Sequence, residues 1–343
     1  MSVSHGPCTI TVNGKRAVTT PGLTLVDAAL SARVVVPHDC CTGQCETCRV
    51  TVLSGAVDDA GTRDRDTVLA CQARVTGPVE IAFEAVPAVV KRTGEVGSVT
   101  QVAPDIFEVV VRLASRLPYL PGQYVKLAFA GLPERDYSPT VRLTGEADEH
   151  ELVFHLRRYP DGLVSSQIGN RIRAGAKVKL RGPFGNAWLR PGGGPIVLVA
   201  SGTGWAPIWS IAVAARLGQP ERPLTVIASA SDPANLYMRP ALQWLWSRGV
   251  RDMYLASSAA RGLVDVWQGR PTELVPHLSS AHDVYVAGNP DMVAAVKAIA
   301  AASGAACHTD PFTASTTRPS LANRIAGLFR TGASGSPGGV QQG

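Results

Sequence analysis

Residues 40–48 read CCTGQCETC, four cysteines in nine residues with the first two adjacent. Three more stand elsewhere, at Cys8, Cys71 and Cys307. Counting from Cys40 gives C-x4-C to Cys45 and C-x2-C to Cys48, with Cys71 following after 22 residues inside VLACQARV. Counting from Cys41 gives C-x3-C-x2-C instead. Only the first register matches the C-x4-C-x2-C…C arrangement of thiolates that hold a [2Fe–2S] cluster. The spacing therefore selects Cys40, Cys45, Cys48 and Cys71 as metal ligands and leaves Cys41 out. A zinc site, the competing reading, usually uses two C-x2-C pairs or histidines, and here there is one such pair. Thiolate sulfurs around a buried cluster need hydrogen bonds, and Gly43 lets the chain turn closely enough to supply them.

The flanks suit a small β-rich module. CTITVNGKRAVTT (8–20) reads as two strands about Asn13-Gly14, a strong hairpin signal. TLVDAALSAR (24–33) has apolar residues at 25, 26, 29 and 30, the stripe of a short helix. VEIAF (79–83) reads as the closing strand. Residues 54–67 read as a loop, and VPAVVKRTGEVGSV (86–99) as a linker.

The 343 residues suggest two or three domains, and 45% hydrophobic against 17% charged residues is the balance of a chain with real cores. No apolar run approaches the length of a membrane helix and the N-terminus lacks a leader pattern, so a cytoplasmic protein with reduced cysteines is expected. The net charge of +6 is uneven: residues 1–88 hold seven Lys/Arg against nine Asp/Glu, the remainder 26 against 18. An acidic head on a basic body, without basic runs or interleaved aromatics, argues against nucleic-acid binding.

Between about residues 96 and 189 run short β-type segments, IFEVVVRL, GQYVKLAF, ELVFHLRR and AKVKLRGPFG, which suggest a small barrel. Within it stand Arg135-Asp136-Tyr137-Ser138 and Gly162-Leu163-Val164-Ser165. Arginine can pair with a pyrophosphate, a tyrosine ring can stack on a flavin, and a serine hydroxyl can donate to a ring nitrogen. From Pro195 the pattern alternates apolar strands and helices: GPIVLVASGTGWAPIWSIAVAARLG, PLTVIASAS, NLYMRPALQWLW, DMYLASS and DVYVAGNPDMVAAVKAIAAASG. Such alternation indicates a parallel sheet with a dinucleotide at the strand C-termini. Gly202-Thr203-Gly204 precedes a helix, where N–H groups suit pyrophosphate, although it is not G-x-G-x-x-G.

Taken in order, CCTGQCETC, LACQ, PGQY, RDYS, DGLVS, GPFG, GTGWAPI, YVAGNPDM and HTDPF resemble the reductase components of multicomponent oxygenases. This family lies within the ferredoxin–NADP reductase superfamily, and the naphthalene-dioxygenase type is the best likeness. The resemblance covers about residues 7–312. It implies a β-grasp ferredoxin domain at 1–88, an antiparallel β-barrel FAD domain at 93–190, a parallel α/β NAD domain at 195–312 and a tail at 313–343. It also implies roles. Arg135, Tyr137 and Ser138 would meet the FAD pyrophosphate, the ring face and the ring N5 edge. His155, Leu156 and Arg157 would lie on the strand that lines FAD. Gly162 and Ser165 would meet its phosphate. Gly202, Thr203 and Gly204 would bind the nicotinamide dinucleotide, and Phe312 would lie near the flavin. The chain departs from the family at Ala287, where cysteine is usual, at Ser201 and Trp205, and at Cys41.

The implied activity is transfer of electrons from NADH through FAD and the cluster to a terminal oxygenase or its ferredoxin. A P450 or a sugar-deoxygenation dehydratase is an alternative acceptor. A non-enzymatic electron carrier or redox sensor is the alternative of another class. NADH is expected over NADPH because Ser229-Ala230-Ser231-Asp232 offers an acid where a 2′-phosphate needs a base, and no basic residue follows until Arg239. In the tail, rich in Gly, Ser, Thr and Pro, Leu321, Ile325, Leu328 and Phe329 fall on one helical face beside Arg324 and Arg330, which suggests a docking segment for a partner or a membrane surface.

Overall fold

The computed structural model describes residues 6–313, and the expectations for the tail lie outside the described residues. The chain begins with β1 (Cys8–Val12) and β2 (Lys15–Thr19), joined by Asn13 at φ 46° and Gly14 at φ 79°. Both signs are positive, as a two-residue hairpin turn requires. Helix α1 (Leu25–Ser31) starts at Thr24, whose hydroxyl accepts from the Asp27 N–H, and buries Leu25, Val26, Ala28 and Ala29. β3 (Arg49–Asp58), β4 (Thr67–Leu69) and β5 (Arg74–Ala82) complete a sheet of order β2-β1-β5-β3-β4. β5, which contains the expected closing strand, is central in the sheet, parallel to β1 and antiparallel to β3. One expectation changes here. The segment expected as a loop from 54 is strand as far as Asp58, because Gly55 at φ 85° forms a bulge that lets β3 continue.

The second sheet contains β6 (Val90–Ala103), β7 (Ile106–Leu113), β8 (Tyr124–Phe129), β9 (Arg135–Tyr137), β10 (Glu151–Arg157) and β11 (Lys177–Phe184). Its order is β10-β7-β6-β11-β8-β9, antiparallel throughout. Just after β9, Thr140 pairs with Val153 of β10, so the two edges curl together. Phe129, Phe154, Val109 and Leu127 fill the interior. Most of the expected linker at 86–99 is β6 itself: Gly94 sits against the Arg112 carbonyl, where a Cβ has no room, and Gly97 lies close under the Arg112 side chain.

The third sheet is parallel: β12 (Ile196–Ser201), helix α2 (Trp205–Gly218), β13 (Leu224–Ser229), helix α3 (Arg239–Ser247), β14 (Asp252–Ser257), β15 (Trp267–Gln268), β16 (Asp283–Gly288), helix α4 (Pro290–Ser303) and β17 (Ala306–Pro311). The order β15-β14-β13-β12-β16-β17 places β12 where the winding reverses. Alternate residues of β12 feed two cores, Leu198 and Ala200 on one face, Val197 and Val199 on the other. α3 starts four residues later than its sequence pattern suggested. Pro240 suits a first helical turn, and Leu236, Tyr237 and Met238 ahead of it are buried in the core as an irregular segment. Among the described residues no helix is long and apolar enough to cross a membrane.

Candidate functional site

The loop from α1 to β3 carries four thiols, three of them the expected ligands Cys40, Cys45 and Cys48. Cys41 (φ 53°), Gly43 (φ 81°) and Glu46 (φ 52°) all take left-handed backbone, and the chain winds tightly enough to turn N–H groups inward. The N–H groups of Thr42 and Cys45 both donate to Cys40 Sγ at 3.4 Å. Gln72 Nε2 reaches from the LACQ turn to the Cys41 carbonyl at 2.8 Å and to Cys71 Sγ at 3.6 Å. The thiols influence one another in twos, Cys45 with Cys40 and Cys48 with Cys71. The Cys45 thiol and the two N–H donors pull Cys40 down to about 3, whereas burial pushes Cys48 up to about 12.

Among the described residues no three His, Cys, Asp or Glu side chains converge as they would on one metal ion. Two thiol pairs beside inward N–H groups do suit a dinuclear cluster, in which each iron takes two protein sulfurs. The Cys41 side chain is exposed, Cys8 is buried at the start of β1 and Cys307 lies in β17.

The second group of residues lies on the barrel. β9 carries Arg135 and Tyr137, paired to Leu127 and Val125 of β8. Tyr137 is half-buried with its ring edge-on to Phe154 at 6.3 Å, and burial pushes its hydroxyl up to about 12. Arg135 Nη1 donates to the Glu134 carbonyl at 2.8 Å. Ser138 is buried and its hydroxyl donates to Asp310 Oδ2 at 3.4 Å. Ser165 Oγ accepts from the Tyr159 N–H at 3.1 Å and closes a turn so tight that a Cβ on Gly162 would strike it.

The three strand residues at 155–157 do not share a surface. Leu156 enters the barrel interior, and strand alternation sends its neighbours to the other face. His155 is buried, with Nδ1 at 3.1 Å from the Tyr237 hydroxyl and Nε2 at 3.9 Å from Glu108. Burial lowers its pKa and favours the neutral ring. His155 therefore joins the barrel to the segment ahead of α3, through its contact with Tyr237. Arg157 stacks on Tyr159, its guanidinium 5.3 Å from the ring centre.

The third group lies at the C-terminal end of β12. Gly202 (φ 54°) to Gly204 form a single turn leading into α2. A Cβ built on Gly202 meets nothing within 4 Å, so a backbone surface is open there, whereas one on Gly204 would run into the Ala287 carbonyl and Gly288 Cα. Open N–H-bearing backbone at a helix start, beside the point where the sheet winding reverses, suits a dinucleotide phosphate. Ser201 Oγ accepts from the Asn289 N–H at 2.8 Å and ties β12 to the end of β16. Trp205 is fully buried and stacks on Trp209 at 5.8 Å. Asp232 Oδ1 accepts from the Ala234 N–H at 2.9 Å and so caps the turn after β13.

Sequence reasoning missed Asp310. β17 runs beside β16, places Ala287 opposite Asp310, and brings Asp310 to Ser138. Burial pushes its carboxyl up to about 7. The signal was present in HTDPF, two residues before Phe312. It could not be weighed without the pairing across 172 positions. Phe312 is partly exposed and its N–H donates to the Gly288 carbonyl at 2.7 Å.

Three family models match in succession: a 2Fe-2S iron-sulfur cluster binding domain at residues 10–76, an oxidoreductase FAD-binding domain at 93–188 and an oxidoreductase NAD-binding domain at 198–298. The chain is 32% identical to the ferredoxin–NAD(P)(+) reductase component of a naphthalene 1,2-dioxygenase system from Pseudomonas putida, over 63% of this chain and 69% of that one. It is 34% identical to the reductase subunit of an aromatic O-demethylase from Amycolatopsis, over 66% and 73%. Among solved structures, an Amycolatopsis cytochrome P450 reductase superposes with TM-score 0.64 at 29% identity, over 90% of this chain and 99% of that one. These likenesses replace the reading as a non-enzymatic carrier. The chain belongs to the ferredoxin-reductase family that includes the reductase components of oxygenase systems: it is a flavin and iron–sulfur oxidoreductase that uses [2Fe–2S], FAD and NAD(H) to pass electrons from reduced nicotinamide dinucleotide toward a partner.

Proposed function

We propose that this chain oxidises NADH and supplies a terminal oxygenase or its ferredoxin, with Cys40, Cys45, Cys48 and Cys71 as cluster ligands. Bound FAD would supply the conversion between a two-electron hydride donor and a one-electron cluster. The chain's own residues orient these groups. Tyr137 offers its ring face, Ser138 its hydroxyl to the ring edge, and Arg135 its charge to the pyrophosphate. Gly162 and Ser165 shape the turn beside the phosphate. Gly202, Thr203 and Gly204 would present backbone to the dinucleotide, and Phe312 would lie near the flavin.

One observation carries the reading. The Ser138–Asp310 hydrogen bond joins the barrel strand that bears Tyr137 to the sheet edge beside Ala287. Residues assigned in this reading to flavin and to nicotinamide would thus meet at one place, as hydride transfer requires. The reading is tested by purifying the chain with cluster and flavin and following NADH oxidation with a terminal oxygenase as acceptor. Turnover with ferricyanide but with no oxygenase would remove the acceptor assignment.

The preference for NADH rests on Asp232, which stands exposed after β13 with no Lys or Arg until Arg239. Its capping bond occupies one carboxylate oxygen. The negative charge repels a 2′-phosphate. A kcat/KM for NADH about tenfold or more above that for NADPH is expected, since that ratio corresponds to about 1.4 kcal/mol of discrimination. Equal efficiencies would refute it. A P450 acceptor is the second reading, supported by the likeness to the Amycolatopsis P450 reductase. Reconstitution with each class of acceptor separates the two.

A further inference from the structure

Asp39 precedes the cluster-loop residue Cys40, and its side chain is only 4% exposed. Its partners all lie on the barrel. The Tyr124 hydroxyl donates to Oδ2 at 3.0 Å, Lys126 Nζ pairs with Oδ2 at 2.9 Å, and Arg181 Nη2 lies 3.7 Å from Oδ1. Lys126 makes a second ion pair, to Asp136 Oδ1 at 3.0 Å. Asp136 is the chain neighbour of Tyr137. The sheet registers explain the arrangement: Arg181 of β11, Lys126 of β8 and Asp136 of β9 are successive cross-strand partners and form one row. Asp39 reaches this row from the other module. Both cations lie near the Phe184 ring, at 5.8 Å for Lys126 and 5.0 Å for Arg181, which limits water around the pair.

We propose that the Asp39–Lys126–Asp136 chain is the positioning clamp that fixes the iron–sulfur loop against the flavin strand and so sets the gap electrons must cross. This rests on the assignment of Cys40 to the cluster and Tyr137 to the flavin. The clamp exchanges no electron, proton or bond. Two electrons arriving as one hydride cross the seam one at a time, and the clamp holds the two ends at a fixed separation. Its strength comes from burial. An enclosed carboxylate that loses its nearest cation keeps its desolvation cost without the pairing that offset it, so the loop must shift to recover water. A second contact, from the Gly185 N–H to Thr47 Oγ1 at 3.0 Å, holds the far side of the loop. Loss of the clamp would therefore tilt the loop rather than release the module.

The test uses the full chain loaded with cluster and FAD, comparing wild type with Lys126→Met, Lys126→Arg and Asp39→Asn. After anaerobic mixing with NADH, flavin bleaching reports hydride transfer and the cluster absorbance reports its reduction. Bleaching should stay within about twofold of wild type in Lys126→Met while cluster reduction slows about tenfold or more, because small misplacements have large rate effects. Lys126→Arg should recover most of the lost rate, and Asp39→Asn should give the same split as Lys126→Met. In the resting protein, backbone hydrogen exchange across residues 39–48 should rise in Lys126→Met while the visible spectrum of the cluster is unchanged. Unaltered cluster reduction and unaltered exchange would overturn the clamp. An equal slowing of both steps would overturn it too, as general damage. A wild-type chain that fails to hold both cofactors overturns the site assignment, and the clamp with it. A wild-type chain that holds both, with variants indistinguishable from it, overturns the clamp alone.

Discussion

The thiol loop and the junction proposed to bring flavin and nicotinamide together are built in opposite ways. The loop gathers three of the four proposed ligand thiols within nine residues, and its donors to Cys40 are N–H groups two and five residues away. The junction has no such locality. Its central hydrogen bond, Ser138 to Asp310, spans 172 positions, and Gly204 is packed on Ala287 and Gly288 from a different strand. A local site is set by backbone conformation and tolerates change in the surrounding fold. A site assembled from distant strands is only as accurate as the sheets that bring it together.

The sharpest way to break the comparison is to alter the loop by one thiol. Cys40→Ser should abolish the visible cluster spectrum and lower NADH-driven reduction of a cluster-dependent acceptor about a hundredfold or more, because electrons then lack their last carrier. Flavin content should be unchanged, since Tyr137 and Ser138 belong to another module. Cys41→Ser, one residue away, should leave the spectrum intact, because its side chain points to solvent and only its carbonyl meets Gln72. Loss of the cluster in Cys41→Ser with retention in Cys40→Ser would reverse the register and the pairing drawn from it.

The junction is tested more gently, through protons. The Asp310 carboxyl is pushed up to about 7 by burial. When protonated it can donate to Ser138 Oγ, which frees the serine O–H to face the flavin edge. When ionised it accepts that O–H and withdraws it. The rate of flavin reduction should therefore fall as pH rises through about 7. Asp310→Asn, whose amide also donates, should keep the low-pH rate and lose the dependence. Ser138→Ala should cost about tenfold, the worth of one hydrogen bond of roughly 1–1.5 kcal/mol. Stability has its own sign. A carboxyl raised in the folded state stabilises fully below its unfolded value, near 4, and the contribution is lost as pH rises through about 7. Thermal unfolding between these values should show a declining midpoint in wild type and a flatter one in Asp310→Asn. A wild-type profile as flat as the variant's would remove the carboxyl from both roles.

The same contrast explains what could be read from the residues alone. The thiol register was legible because cluster geometry imposes a spacing along the chain. The β12–turn–α2 unit was legible because an apolar strand, a glycine pair and a helix stand in sequence. Asp310, Asp39 and Lys126 were not legible. Each is an ordinary polar residue whose role exists only through a partner brought by the sheet, and nothing in HTDPF or YVKLAF marks that partner. His155 shows a different limit: alternation along its strand turns its ring to Tyr237, a partner 82 positions away that its own stretch does not mark. Strand β6 was misread as a linker because Gly94 and Gly97, which look like loop glycines, are there to admit Arg112.

The smallest effects separate two glycines within one turn, where local and assembled construction meet. Gly204 has ordinary helical backbone, at φ −58°, so an alanine would be conformationally acceptable. Its Cβ would strike the Ala287 carbonyl and Gly288, however, so Gly204→Ala must push β12 away from β16. Overpacking of this kind costs about 1–3 kcal/mol. Gly202 is the reverse. Its surroundings are open, but φ 54° imposes about 1–2 kcal/mol on any residue with a Cβ. Gly202→Ala should therefore leave β12 and β16 together, unfold slightly earlier, and raise the KM for NADH several-fold, about 1 kcal/mol of binding, where the new methyl meets the dinucleotide. Gly204→Ala should lower the unfolding midpoint further and also slow flavin reduction at saturating NADH, since β16 carries Ala287 beside Asp310 on β17. The two variants should thus split KM from kcat. If Gly202→Ala disturbs kcat with KM unchanged, the open surface at Gly202 is not where the dinucleotide lies, and the turn is only a hinge between strand and helix.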